Sequence, residues 1–237
     1  MRLDKYLANL QIGTRTQIKE FIKKGMVTVN DDLVKKPEFQ VSESDKVTYQ
    51  GKVLSYTQFQ YYMLYKPSGV VTATKDNHDK TVMDLLPGNL GKNLSPVGRL
   101  DKDTEGLLLI TNDGELSHNL LSPKKHAPKT YYVEVDGVID PDRISKLENG
   151  VDIGDDKDTL PASVKLINKS DDKYSMELTI TEGRFHQVKR MVKAIGGNVT
   201  YLKRISMGSL SLDEKLEKGD FRPLTTEEVS TLKKIII

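Results

Sequence analysis

The chain has 237 residues, of which 30% are charged and 37% hydrophobic. This balance is typical of a folded, soluble protein and excludes a disordered one. The chain contains no cysteine, which excludes disulfides and thiolate metal sites. No apolar run is long enough to cross a membrane, and no apolar segment near the N-terminus predicts a secretory signal. We therefore expect a cytoplasmic protein without membrane partners.

The net charge of +2 is unevenly distributed along the chain. Residues 1–30 carry two anions, Asp4 and Glu20, against six cations, which are Arg2, Lys5, Arg15, Lys19, Lys23 and Lys24. Such a local excess indicates a surface that faces a polyanion. Charge alone leaves a second interpretation open, namely an ordinary solvated helix face.

The first 50 residues predict a small αβ domain. Apolar residues recur at helical spacing over 3–10 and 14–24, where Thr14 is suited to cap the second helix and Gly25 to end it. Alternating residues then predict strands at 27–30 and 46–49. The polar stretch 51–60 predicts a linker to a second domain over residues 61–237.

The second domain is rich in predicted strands, with few helices between them. Apolar and polar residues alternate, or form short apolar runs, in segments that predict strands at 62–65, 131–135 and 174–180. Helical patterns lie at about 115–121, 141–149 and 185–195. A capping box formed by Thr225 and Glu228 predicts the start of a last helix. This order predicts an α+β domain with a mostly antiparallel sheet.

One acidic turn stands out because of the strand that follows it. The segment from Gly98 to Gly114 contains Asp101 in a polar turn, followed by the apolar run Leu107–Ile110. Such a run predicts a strand buried on both faces, which would hold the Asp101 carboxylate rigidly. Two other interpretations are an ordinary turn aspartate and a calcium loop. The calcium loop fails because its twelfth position is Asn112 and not glutamate.

The helix predicted over 185–195 has two distinct faces. An apolar stripe is predicted for Phe185, Val188, Val192 and Ile195. The opposite face carries four potential cations, which are His186, Lys189, Arg190 and Lys193. These cations suit an RNA backbone, although the pattern taken alone favours an ordinary solvated helix face. The chain has no nucleotide-binding glycine motif, and its four histidines lack zinc-site spacing.

Four segments resemble, in the same order, the motifs of RsuA-type ribosomal RNA pseudouridine synthases. They are residues 63–70, 98–114, 129–133 and 182–191. Residues 1–50 resemble the S4 RNA-binding domain that this family carries in front. The resemblance implies an N-terminal S4 domain of the αL type and a catalytic domain with a long, mixed, mainly antiparallel sheet flanked by helices. It also implies isomerisation of uridine to pseudouridine in RNA, with no metal and no cofactor.

The resemblance assigns roles to particular residues. Asp101 is the catalytic carboxylate, which attacks the ribose C1′ or abstracts a ribose proton. Tyr131 stacks on the target base, although a core position explains this residue as well. Lys189 pairs with the aspartate and keeps it ionised, and Arg99 fills the gap left by the flipped nucleotide. The remaining RNA contacts are assigned to Arg2, Lys5, Arg15, Lys19, Lys23, Arg184, His186 and Arg190.

The substrate follows from the branch of the family that the chain resembles most. The chain starts directly on the S4 segment and carries residues 122–126 before the tyrosine strand, as in the branch that modifies 16S rRNA. Free 16S rRNA and an assembling small subunit are both open as its substrate. Two alternatives are the same reaction on 23S rRNA and a non-catalytic RNA-binding assembly factor. Nothing in the sequence demands a dimer, so we expect a monomer.

Overall fold

In the computed structural model, the described residues are 1–10, 12–42, 44–54, 59–88, 90, 93–137, 141–170 and 173–235. The chain forms two compact units. One consists of Met1–Phe59 with Gly88–Lys92, and the other of Gln60–Pro87 with Asn93–Ile237. Among the described residues, none of the helices has the length and apolar composition that a membrane span needs.

The first unit combines two helices with an antiparallel sheet of order β2-β1-β3-β4. Its elements are α1 (Leu3–Asn9), α2 (Arg15–Lys23), β1 (Val27–Val29), β2 (Asp32–Leu33), β3 (Val47–Tyr49) and β4 (Lys52–Leu54). Helix α2 begins with the predicted cap, where the Gln17 backbone N–H donates to the Thr14 hydroxyl and Gln17 Oε1 accepts from the Thr14 N–H. The buried faces of both helices pack with the sheet in one apolar cluster.

Strand β4 corrects the prediction of a linker over 51–60. Lys52–Leu54 pairs antiparallel with β3, and the Tyr6 hydroxyl donates to the Leu54 carbonyl oxygen at 3.2 Å. These three residues therefore belong to the sheet of the first unit. A strand of three residues is too short to show periodicity, which is why the sequence does not predict it. Residues 55–58 of the predicted linker lie outside the described residues.

The second unit is built on a mixed, mainly antiparallel sheet of order β13-β5-β7-β11-β8-β10-β9, with β6 added to β7 and β12 to β11. Its strands are β5 (Tyr61–Lys66), β6 (Ser95–Pro96), β7 (Glu105–Thr111), β8 (Lys129–Asp136), β9 (Ser163–Ser170), β10 (Lys173–Ile180), β11 (Asn198–Met207), β12 (Leu210–Ser211) and β13 (Phe221–Pro223). The predicted fold class is confirmed. The predicted helices are also present, as α3 (Gly114–Leu121), α4 (Pro141–Asn149), α5 (Gln187–Ala194) and α6 (Thr226–Ile235).

The centre of the sheet is the parallel pair of β7 and β11. Every residue of β7 is buried, as its apolar run predicts. The two backbones approach so closely at Gly106, which has φ +108°, that a Cβ there would lie 2.2 Å from the Arg204 carbonyl oxygen. Only glycine fits this position. Strand β11 itself is not predicted by the sequence because it places the charged Arg204 in the core, where its Nε donates to the Leu107 carbonyl.

Candidate active site

One apolar cluster holds together the three elements that carry the predicted catalytic residues. Leu100, Tyr131 and Val188 are all buried in it, together with the inner faces of β8, β10 and α5. Leu100 directly precedes Asp101, and Val188 directly precedes Lys189. Packing of these neighbours therefore brings the turn before β7, strand β8 and helix α5 to one place. Core packing positions side chains more precisely than a loop does.

A buried lysine stabilises the turn that carries Asp101 by hydrogen bonds to its backbone. The Thr104 backbone N–H donates to the Asp101 carbonyl oxygen at 3.1 Å and closes the turn. Lys66 is fully buried, and its ammonium group donates to the carbonyl oxygens of Pro67, Lys102 and Thr104 at 3.0, 3.3 and 2.7 Å. Burial lowers the pKa of Lys66 to about 8. Lys66 is thus a positioning residue. The sequence feature that could have identified it is a charged residue at the end of an apolar strand.

The Asp101 carboxylate faces two basic side chains of the α5 region. Lys189 Nζ lies 3.2 Å from Asp101 Oδ2, and His186 Nε2 lies 3.5 Å from Asp101 Oδ1. The Asp101 side chain is half-buried, with 28% of its surface exposed. A carboxylate in this position is open enough to meet a substrate, yet its orientation is fixed by its partners.

Lys189 also contacts a second carboxylate, which the sequence did not predict. Its Nζ lies 2.6 Å from Asp103 Oδ1, closer than to Asp101. Burial lowers the pKa of Lys189, but hydrogen bonds to the two carboxylates outweigh this and raise it. The hydrogen bond from Lys189 in turn lowers the pKa of Asp103. Lys189 therefore stays charged between two anions. The sequence feature that could have identified Asp103 is its position two residues after Asp101 in the same turn.

Helix α5 begins later than predicted, and this changes the place of Phe185. The helix starts at Gln187, preceded by His186 in the left-handed conformation at φ 47°. Phe185 lies before this reversal, so helical spacing does not apply to it, and 75% of its surface is exposed. The prediction that Phe185 belongs to the apolar stripe is wrong. The buried residues of the helix and its end are Val188, Met191, Val192 and Ile195 together with Gln187.

The guanidinium groups of Arg184 and Arg190 are held by protein partners, and the assignment of both residues to RNA binding stays a prediction. Arg184 Nε donates to the Glu182 carboxylate at 3.0 Å, and its other nitrogens bind the carbonyl oxygens of residues 157 and 158. Arg190 Nε donates to the Ile153 carbonyl oxygen at 3.0 Å, and its Nη atoms contact Asp155. Apart from Glu182, these partners belong to the acidic loop over residues 152–158, which lies about 30 residues earlier in the chain, so local sequence patterns do not predict the contacts.

The remaining predicted residues of the second unit differ in exposure. Tyr131 is only 8% exposed and lies on the buried face of β8 with Val133 and Val135. Arg99 is exposed, two residues before Asp101. The structure therefore brings Asp101, Lys189 and His186 into contact and places Tyr131 in the adjoining core.

The first unit gathers most of the predicted cations around one cavity. Its volume is about 320 Å³, and it is lined by Arg2, Asp4, Lys5, Arg15 and Lys19. Arg2 and Asp4 form an ion pair at 2.8 Å. The other three lining cations are exposed. Lys23 is also exposed but does not line this cavity.

Comparison with known proteins finds a family match for each part of the chain. Residues 60–194 match the RNA pseudouridylate synthase family, and residues 1–47 match the S4 domain. The chain is 47% identical over 234 residues to a protein of Bacillus subtilis strain 168 named uncharacterized RNA pseudouridine synthase YtzG, covering 98% of each chain. It is 41% identical to the ribosomal small subunit pseudouridine synthase A of Vibrio parahaemolyticus serotype O3:K6, covering 98% of this chain and 99% of that protein.

A solved structure described as a pseudouridylate synthase shows the same fold. It superposes with a TM-score of 0.69 at 38% identity and covers 98% of this chain and 99% of the other. The similarity spans both units. The sequence relatives and the structural relative therefore point to one family.

Proposed function

The chain belongs to the RNA pseudouridylate synthase family, and from this premise we propose that it converts one uridine of small-subunit 16S rRNA to pseudouridine. The single observation that best supports a catalytic site is the half-buried Asp101 carboxylate between Lys189 and His186. The rRNA target is supported by the small-subunit enzymes among the relatives.

The proposed reaction exchanges one bond of the ribose for another. The glycosidic bond between N1 of uracil and C1′ of ribose breaks, the base turns, and C5 bonds to C1′. The hydrogen on C5 leaves to solvent as a proton, and N1 takes up a proton in its place. Asp101 starts the reaction by attack on C1′ or by removal of a ribose proton. The Lys189 ammonium group, 3.2 Å from Asp101 Oδ2, orients this carboxylate and places a positive charge beside it.

The target base has to leave the RNA stack to reach Asp101, which costs a few kcal/mol of stacking. We assign Tyr131 to the wall against which the detached uracil packs, because an aromatic ring with one polar end suits a flat, polar base. Arg99 is exposed and lies two residues before Asp101. From there its side chain would fill the gap that the flipped nucleotide leaves. Action as a monomer in the cytoplasm stays a prediction from the sequence.

Tritium release tests the proposed function directly. Transcripts of 16S and 23S rRNA labelled as 5-[³H]uridine are incubated with the protein, each with and without ribosomal proteins. We expect release from 16S RNA alone, since only reaction at C5 frees the label. Release from 23S RNA would support the proposed reaction but contradict 16S rRNA as its substrate. No release from any of the four substrates would favour an RNA-binding assembly factor.

The cations of the first unit are expected to bind RNA phosphates, and salt dependence measures this. Each phosphate contact adds about 0.7–0.9 to the slope of log affinity against log salt. Replacing Arg15 and Lys19 by glutamine should therefore weaken RNA binding and flatten the slope by about 1.5. Filter binding at several salt concentrations gives both values.

The matched control for this experiment is Lys52→Gln. Lys52 is also exposed and lies in the same unit, on β4, but it does not line the cavity. Its replacement changes the net charge without removing one of the proposed phosphate contacts. An equal change of slope in Lys52→Gln would show that net charge alone, and not this cavity, determines the salt dependence.

A further inference from the structure

Phe185 is an apolar ring in an unusual place. With 75% of its surface exposed, it is the most exposed large hydrophobic side chain among the described residues. One of its faces is covered by the His186 imidazole, with ring centroids 3.9 Å apart and planes inclined by 18°. Exposure of so much apolar surface is unfavourable in water. A binding role would account for its presence.

The position of the ring is set by its backbone. The Phe185 carbonyl oxygen accepts a hydrogen bond from Arg190 Nη1 at 3.1 Å, and Arg190 is itself anchored on the Ile153 carbonyl. The next residue, His186, has the left-handed backbone that ends one segment and begins α5. Its carbonyl oxygen accepts from the Arg190 backbone N–H at 3.0 Å. The aromatic pair is therefore presented by a fixed turn.

This pair lies beside the proposed catalytic carboxylate. His186 stacks on Phe185 with its ring and lies 3.5 Å from Asp101 Oδ1 with its Nε2 atom. Only the imidazole thus separates the exposed phenyl ring from the carboxylate. A nucleotide held at Asp101 would have its immediate chain neighbours within reach of Phe185.

We propose that the outer face of the Phe185 ring is a stacking platform for an unpaired base of the substrate RNA, next to the target uridine. This inference rests on the proposed function. When the uridine leaves the stack, its neighbour loses a stacking partner, and an exposed aromatic ring replaces it. The target base itself does not suit this position, because Phe185 is open to solvent whereas Tyr131 is only 8% exposed.

The surroundings of Phe185 favour a single base over a protein partner. Protein docking sites are apolar patches of several hundred Å². The neighbours of Phe185 in the chain, Glu182, Arg184 and His186, are polar or charged, and Gly183 has no side chain. One isolated aromatic ring stacked on His186 offers area for a single base rather than for a protein surface.

Replacement by leucine and by tryptophan separates stacking from simple apolar contact. Phe185→Leu should weaken the affinity for a 16S rRNA transcript about 5- to 100-fold, which is the usual effect of removing one base–aromatic stack. Phe185→Trp should retain the affinity. The single-turnover rate at saturating RNA should change little in both. Ile167→Ala is the matched control, because it shortens another exposed apolar side chain, 49% exposed, on β9.

Unchanged affinity in Phe185→Leu would overturn the proposal. A lower rate at saturating RNA with unchanged affinity would also overturn it, because Phe185 would then only orient His186. Phe185 is exposed, so neither variant should unfold, and thermal unfolding checks this.

A crosslink locates the base. A benzophenone side chain introduced at position 185 should crosslink to RNA within two nucleotides of the uridine that the unmodified protein converts. Crosslinks confined to distant nucleotides would refute the platform. Failure of the proposed function would look different, since the unmodified protein would then release no tritium. A loss of RNA affinity in Phe185→Leu would in that case still support the platform as a binding site.

Discussion

Asp101→Asn is expected to lower the single-turnover rate about 10³-fold or more, which is the scale seen when a nucleophile or base that acts as part of a unit is removed. Asparagine keeps the shape of the side chain but can neither attack C1′ nor accept a ribose proton. The Asp101 side chain is 28% exposed and lies in a turn held by backbone hydrogen bonds. RNA affinity and thermal stability should therefore stay close to those of the unmodified protein.

Asp103→Asn is the matched control for this variant. Asp103 lies in the same turn and contacts the same lysine at 2.6 Å, but its side chain is 70% exposed. We expect its replacement to lower the rate less than about 10-fold, because an exposed ion pair contributes little. Tritium release from 16S RNA measures both rates. If Asp103→Asn is as inactive as Asp101→Asn, or if Asp101→Asn keeps its activity, the assignment of the catalytic carboxylate is wrong.

The elements that the sequence predicted are those with a strong local pattern. The apolar run Leu107–Ile110 became the buried strand β7, and Thr14 and Glu228 mark real helix starts. In each case the signal lies within a few residues, as a run, an alternation or a cap. Such patterns depend little on the rest of the fold, and this is why they can be identified from one sequence.

The features that the sequence did not predict depend on distant partners. Strand β11 contains Arg204, whose guanidinium is buried against the Leu107 carbonyl of β7. Arg190 contacts Asp155, which lies 35 residues away in the chain. Phe185 is exposed because the backbone reverses at His186. No local sequence pattern predicts these contacts, because they form only when distant segments pack together in the tertiary structure.

The candidate site illustrates both cases in one place. The family motif and the strand pattern together led to Asp101 and Lys189, and the structure places these two side chains 3.2 Å apart. The hydrogen bonds from Lys66 that stabilise the Asp101 turn were not predicted. Their acceptors are backbone carbonyl groups, which every sequence carries, so no residue type marks them. Side-chain identity therefore marks the reacting groups, whereas their positioning depends on the folded backbone.

Lys189→Met is expected to lower the turnover about 10²-fold, the usual effect of removing one preorganised electrostatic partner. Methionine keeps the length of the side chain but removes the cation that lies 3.2 Å from Asp101 and 2.6 Å from Asp103. In the unmodified protein, this cation lowers the pKa of Asp103. Without it, the two neighbouring carboxylates repel each other, and the pKa of Asp103 should rise.

Lys189→Arg, which keeps the charge, should retain more activity than Lys189→Met. Lys193→Met is the matched control, since this exposed lysine lies one turn further along α5. Single-turnover tritium release compares the rates of all three variants with that of the unmodified protein. A rate in Lys189→Met within two-fold of the unmodified protein would mean that the ion pair is structural and takes no part in the reaction.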